Sequence, residues 1–271
     1  MSTPIIRMEK HGSVAVITHS NDAKMNALSS EFQQGTREFL AQVRKDASIA
    51  AVIFTAEGRA FCAGADLSQR TGHNQPDDGL SMGERASEMM QAVSNRLIMD
   101  FQELPVPVVC AINGVAAGAG VGLALAGDVT LAAESAYFYL PFLPRLGIVP
   151  DLGTTWFLES RLGRARTMAL SLLGEKLAAR KAADWGLIWD CVPNAELAER
   201  AMQTAQRLAK LPPSAVLEAR RAQDAAAHNT LHAQLHYEAS RQRDLVGAPN
   251  FLEGARAFME KREPAFAPRQ V

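Results

Sequence analysis

The stretch from Ala111 to Trp156 constrains the fold of this chain more than any other. It opens where an apolar run, Val106 to Ile112, stops at Asn113-Gly114, which is the pattern of a buried strand closed by a turn. Gly114, Gly118, Gly120, Gly122 and Gly127 follow, interleaved with alanines and with a helix-compatible apolar segment, Val121 to Ala126. Glycine at that density permits close backbone approach and unusual dihedrals. A strand, a small-residue turn and a helix start leave backbone N–H groups without intrahelical partners, aimed at whatever sits at the helix N-terminus. Such a turn binds an anion, or it merely lets a buried helix pack tightly on a sheet; alone it does not choose between them.

A second stretch, Gly58 to Leu67, follows another apolar strand, Ala51 to Thr55. Two strands that each end in a small-residue turn can bring two backbone donors to one point. At these two places, AFCAGADL (residues 60–67) and NGVAAGAG (residues 113–120), the chain resembles the crotonase superfamily, also called the enoyl-CoA hydratase/isomerase family. The order and separation of the motifs match as well. The resemblance extends from Asn26-Ala27-Leu28 to AFMEKREPAF, residues 257–266.

The resemblance implies an oxyanion hole in which the backbone N–H groups of Ala65 and Ala119 bind the thioester oxygen of an acyl-CoA. Donors placed where negative charge develops stabilise an enolate, each by roughly 3 kcal/mol in favourable cases. Ala63, Gly64, Asp66, Leu67 and Gly118 flank those donors and are expected to border the substrate. Small residues are needed because the thioester must lie against the main chain.

Hydratases of this family hold and activate water with two glutamates, and the resemblance places these at Gly122 and Leu143. Syn addition of water requires groups that position the water and move its protons. Glycine and leucine do neither. A carboxylate stands nearby, because Leu146-Gly147-Ile148-Val149-Pro150-Asp151 ends in an acid where hydratases commonly carry glycine. Pro150-Asp151-Leu152-Gly153-Thr154 is similar to the segments of family members that move a double bond. Asp151 is therefore the candidate base, with a pKa expected to rise by desolvation beside an apolar acyl pocket. It also reads as the N-cap of a helix entered through Leu-Gly-Thr-Thr-Trp.

The chain has 271 residues, 28 basic and 29 acidic, for a formal charge of −1. No block of like charge stands out, which disfavours nucleic acid and membrane surfaces as partners. Cys62, Cys110 and Cys191 match no metal or disulfide spacing, and are expected to be structural thiols in a reducing compartment. His228, His232 and His236 recur every four residues on an expected helix, without the companions of a zinc motif. The N-terminus MSTPIIRMEKHG carries neither a secretory run nor an arginine-rich presequence, so a cytoplasmic enzyme is expected.

Residues 4–9 and 13–18 read as paired strands, and Ser29 or Ser30 caps a helix to about Val43. A polar stretch between Leu67 and Ser81 suggests a mobile surface loop. The next helix, roughly 83–101, carries Met89 and Met90, which the resemblance sets beside the acyl tail, where flexible thioethers adapt to shape. Short helices over 164–173 and 178–185 come next, then amphipathic ones over 197–208, 215–228 and 231–245, with a break at Leu211-Pro212-Pro213. Near the end, Lys261 matches a family lysine that approaches the adenine or phosphates of CoA.

The expected fold is α/β: a ββα spiral core over residues 1–210 and a C-terminal helical region over 211–271 for trimerisation. The resemblance implies a homotrimer or homohexamer. The expected function is Δ3-to-Δ2 isomerisation of an unsaturated acyl-CoA with Asp151 as base. Hydration of a 2-enoyl-CoA in fatty-acid degradation through a non-standard water site, and weakly catalytic acyl-CoA binding, are the alternatives. No metal or resident cofactor is implied, since CoA enters with the substrate.

Overall fold

In the computed structural model, which describes residues 4–66 and 79–270, the apolar runs become mainly parallel strands. β1 (Ile6–His11) and β2 (Val14–His19) pair antiparallel, one to two residues later than the expected 4–9 and 13–18. From there each turn of the chain lays one strand in each of two sheets. β3 (Ala51–Ala56) is followed by β4 (Ala60–Cys62), β5 (Val108–Ile112) by β6 (Val115–Ala117), and β7 (Val129–Ala133) by β8 (Tyr137–Tyr139). β9 (Leu177–Ala178) and β10 (Asp190–Val192) complete them. The larger sheet has the order β1-β2-β3-β5-β7-β10 and the smaller β4-β6-β8-β9. This is the expected ββα spiral. β3 and β5 lack polar alternation because parallel strands are covered on both faces; every residue of β5 is buried.

α1 (Ser30–Lys45) starts where the Ser29 side chain accepts from the Phe32 N–H at 3.1 Å. Its buried stripe, Phe32, Gln33, Thr36, Leu40 and Val43, recurs at helical spacing. α2 (Met82–Met89) opens on a reciprocal capping box between Ser81 and Glu84. A π-helical turn, Met90–Ser94, joins it to α3 (Asn95–Gln102), so the single expected helix has a register change inside it. α4 (Ala119–Leu125) leaves β6 after Gly118. α5 (Thr154–Leu173) begins ten residues before the expected 164 and bends at Gly163, whose φ of 69° breaks the helix. That glycine explains why only the second half shows in the sequence. α6 (Ala179–Asp184) and α7 (Leu197–Leu208) follow.

The C-terminal region holds α8 (Pro213–Ala226), α9 (Leu231–Val246) and α10 (Pro249–Glu260). Pro213 sits in the first turn of α8, where a missing N–H costs nothing. Arg220 fastens α8 to the core. Its Nε meets Asp128 Oδ1 at 2.5 Å and its Nη2 meets Asp128 Oδ2 at 2.6 Å, while it also donates to the carbonyls of Gln102, Leu104 and Val106. His228 lies in the turn after α8, so only His232 and His236 share α9, with their Nε2 atoms 3.2 Å apart. Among the described residues no group of three His, Cys, Asp or Glu is placed to hold a metal. No helix there is long and apolar enough to cross a membrane.

Candidate active site

Asn26 holds the first small-residue turn in place. Fully buried, it donates from Nδ2 to the carbonyls of Glu57 (2.7 Å) and Ala60 (2.6 Å) and accepts from the Asn21 N–H at 2.6 Å. That ties the loop before α1 to the β3–β4 connection. Two residues on, the Leu28 N–H donates to the Gly64 carbonyl at 2.8 Å, and Leu28 and Ala65 form a parallel bridge. The Ala65 N–H has no acceptor among the described residues.

The second turn runs from β6 into α4. The Gly118 N–H donates to the Tyr139 carbonyl at 2.9 Å, and Ala119 is the first residue of α4, where N–H groups lack an intrahelical acceptor. Gly64 (φ 91°) and Gly118 (φ 55°) both adopt left-handed backbone, and a Cβ on Gly64 would stand 2.9 Å from the Ala117 carbonyl oxygen and 3.5 Å from the Ala119 nitrogen. The two turns therefore touch through main chain, which no larger residue at 64 permits.

A cavity of about 180 Å³ opens where they meet. Six of the expected site residues line it: Ala65, Asp66, Met89, Met90, Ala119 and Asp151. Leu28, Ser30, Gln33, Ser94 and Leu152 complete the wall. Of these, Gln33 left a trace in the sequence as a polar residue within the apolar stripe of α1. Ser94 stands four residues after Met90 and three before Leu97, on the face that simple helical spacing buries, where it showed only as a small polar residue.

Asp151 arrives on a tight backbone. Leu152 (φ 53°) and Gly153 (φ 73°) are both left-handed, and for leucine that conformation is costly. Helix capping does not account for Asp151: the N-cap of α5 is Gly153, with no side-chain cap, and the Asp151 backbone carbonyl accepts from the Thr154 N–H at 2.9 Å. The same loop explains Gly122. A Cβ there would lie 2.1 Å from the Leu152 carbonyl oxygen and 2.9 Å from Thr154 Oγ1, so the backbone following Asp151 occupies the room that a side chain at 122 would need.

Asp66, the other carboxylate of the cavity, is paired with Lys24, whose Nζ is 3.1 Å from Asp66 Oδ2. Leu143 sits on a second π-helical turn, Phe142–Leu146, packed against the core and outside the described cavity wall. Ala63, Gly64, Gly118 and Gly122 also lie outside that wall, and the two turns they belong to shape it from behind. Leu67 and most of the expected surface loop lie outside the described residues. Lys261 is the left-handed C-cap of α10 (φ 55°), exposed and away from this cavity wall. Arg262 is engaged by Glu253 and Glu260, which leaves Lys261 as the basic side chain of that motif without an ion pair among the described residues.

Burial pushes the Cys62 and Cys110 thiols up to about 12, so neither is a thiolate nucleophile at neutral pH. A larger cavity, about 790 Å³, lies beneath α8 and contains none of the expected site residues. Its main charged groups are engaged with protein: Arg220 with Asp128, and Arg161 with the carbonyls of Leu125 and Leu187. The smaller cavity is therefore the candidate active site.

The family model for enoyl-CoA hydratase/isomerase matches residues 9–269. A 1,2-epoxyphenylacetyl-CoA isomerase of Escherichia coli (strain K12) is 40% identical over 257 residues, 93% of this chain and 94% of that protein. A probable enoyl-CoA hydratase of Rhodobacter capsulatus is 39% identical over 269 residues, 99% of this chain and 100% of that one. Among solved structures, the enoyl-CoA hydratase from Bacillus anthracis superposes with a TM-score of 0.87 at 32% identity, covering 97% of this chain and 98% of its own. An enoyl-CoA hydratase from Polaromonas sp. JS666 gives 0.89 at 30% identity, covering 97% and 99%.

Proposed function

The chain belongs to the enoyl-CoA hydratase/isomerase family, and from that premise we propose that it is an acyl-CoA isomerase that moves a double bond from Δ3 to Δ2 with Asp151 as its single base. The observation that carries this reading is the pairing of two facts. Ala65, Ala119 and Asp151 share one cavity, and the backbone after Asp151 leaves no room for a side chain at Gly122. Hydration needs that second acid–base group; isomerisation does not.

In this mechanism the thioester oxygen accepts from the Ala65 and Ala119 N–H groups. The Asp151 carboxylate removes a proton from C2 of the 3-enoyl thioester, and the electron pair delocalises into a dienolate whose negative oxygen lies between the two donors. Protonated Asp151 then delivers its proton to C4, leaving the C2–C3 double bond and a carboxylate ready for another cycle. Asp66, paired with Lys24, holds the wall rather than moving protons. Met89 and Met90 border the acyl group, and Lys261 contacts the CoA moiety. The enzyme works in the cytoplasm as a trimer or a pair of trimers, needs no resident metal or cofactor, and serves the breakdown of fatty or related acyl groups.

The Escherichia coli relative is named an isomerase of an acyl-CoA, which supports the reaction type; the Rhodobacter capsulatus relative is named a probable hydratase, which keeps hydration as the reading to be tested against it. A paired assay of wild type and Asp151→Asn on 3-enoyl-CoA isomerisation and 2-enoyl-CoA hydration separates them. Isomerisation that falls at least about a hundredfold in the variant is expected for loss of a general base. Hydration that persists without Asp151 overturns the reading, and equal acyl-CoA binding with no turnover in either form identifies a binding protein.

A further inference from the structure

Gln33 and Ser94 face the candidate cavity but take no part in moving a proton. Gln33 is 3% exposed and Ser94 5%, and polar groups buried that deeply destabilise a protein unless hydrogen-bonded. Ser94 Oγ donates to Gln33 Oε1 at 2.7 Å and stands 3.5 Å from Met89 Sδ. A carboxamide offers two N–H donors beside its oxygen. With Oε1 engaged by Ser94, Gln33 Nε2 has no acceptor among the described residues, and its side chain lines the cavity. The bracing serine closes the π-helical turn Met90–Ser94, a local departure from the α-helix of the kind that recurs at functional sites. An apolar side chain at 33 would continue the buried stripe of α1 and suit an alkyl chain better.

We propose that Gln33, oriented by Ser94, is a specificity-determining residue whose Nε2–H donates to an oxygen on the acyl group, so that this site takes oxygen-bearing acyl-CoA thioesters in preference to plain alkenoyl ones. The inference rests on the reading that this cavity receives the acyl part of a thioester. A site built to donate a hydrogen bond discriminates against an analogue without the acceptor, because the donor is then left buried and unpaired.

The test separates recognition from turnover. Wild type, Gln33→Met and Ser94→Ala are titrated calorimetrically with hexanoyl-CoA and with its 4-oxa, 5-oxa and 6-hydroxy derivatives, none of which can be isomerised. At least one oxygenated probe is expected to bind wild type about fivefold or more tightly than hexanoyl-CoA, the worth of one neutral hydrogen bond. The ratio should collapse toward one in Gln33→Met and fall part of the way in Ser94→Ala. Thermal melts report whether each variant is folded; if Gln33→Met is not, the ratio in Ser94→Ala decides. Hexanoyl-CoA binding wild type as well as every oxygenated probe overturns the proposal, as does a preference that survives the substitutions. If no thioester binds, the cavity is not an acyl site and both readings fall. A preference found in a protein without isomerase turnover leaves Gln33 in its role and removes only the proton-shuttle mechanism.

Discussion

Every residue of α4 is buried, whereas α8 and α9 have no fully buried residue and α10 has one, Ala257. In the first region main chain meets main chain: the turn at Gly64 against Ala117 and Ala119, and α4 at Gly122 against the Leu152 carbonyl. Position there is set by backbone that no side-chain repacking can shift, which suits the proposed pair of N–H donors. In the second region helices lie on the core through side chains, with the Arg220–Asp128 contacts as a principal fastening. Their apolar surface stays open in the single chain, Phe258 being 86% and Met259 76% exposed. The proposed self-association would act on that surface. On the proposed reading, catalytic geometry and self-association draw on different parts of the chain, and substitutions should separate them.

The largest effect is expected at the packed hub. Gly122→Glu restores the acid that hydratases carry, yet its Cβ collides with the Leu152 carbonyl. It should cost at least about 3 kcal/mol in a denaturant melt, lower isomerisation more than about a hundredfold by displacing Asp151, and confer no hydration. A stable variant that gains hydration would break the link between Gly122 and the Asp151 loop.

Arg220→Met comes next. Removing the guanidinium leaves Asp128 and three carbonyls short of a donor, at a cost of about 2 kcal/mol given that Asp128 is partly exposed. Hydrogen exchange should then open α8 well before β5 and α4. Uniform loosening of both regions would deny that they are separable.

His19 gives a smaller, pH-dependent effect. It is 1% exposed, stacks on Phe32 with ring centroids 3.9 Å apart, and burial pulls its pKa down to about 4. Between that value and the ordinary one near 6.5 the unfolded chain binds the proton that the folded chain refuses. Stability therefore falls as pH drops through this window, by on the order of 1 to 2 kcal/mol from pH 6.5 to pH 5. His19→Leu should flatten that part of the profile, read by chemical denaturation at each pH.

Least of all, Phe258→Ser should change the stability of the isolated fold by under about 0.5 kcal/mol, since the side chain is already in solvent. Sedimentation of the same variant shows whether the residue matters to association; a large loss of fold stability with no change in mass would place it in the core instead.

The hub was legible in the sequence because glycine and alanine at close spacing have few other uses, so Gly64, Gly118 and the alanines beside them pointed to one place. Asp151 and the two methionines, Met89 and Met90, were found through resemblance, and the cavity contains them. What escaped was local backbone irregularity. The π turn at Met90–Ser94 and the break at Gly163 follow from how helices fit their neighbours, and 3.6-residue periodicity is blind to both. Gln33 showed only as a polar letter in an apolar stripe; its meaning came from its hydrogen bond with Ser94, a partner 61 residues away in the chain.

The most direct test of a single shuttling carboxylate follows the proton itself. A 3-enoyl-CoA carrying deuterium at C2 is converted in ordinary water and the product is analysed by mass and NMR at early times. Deuterium appearing at C4 of the 2-enoyl product in wild type, with no transfer or turnover in Asp151→Asn, is the expected result. Turnover with all label lost to solvent and at an unchanged rate in Asp151→Asn contradicts it.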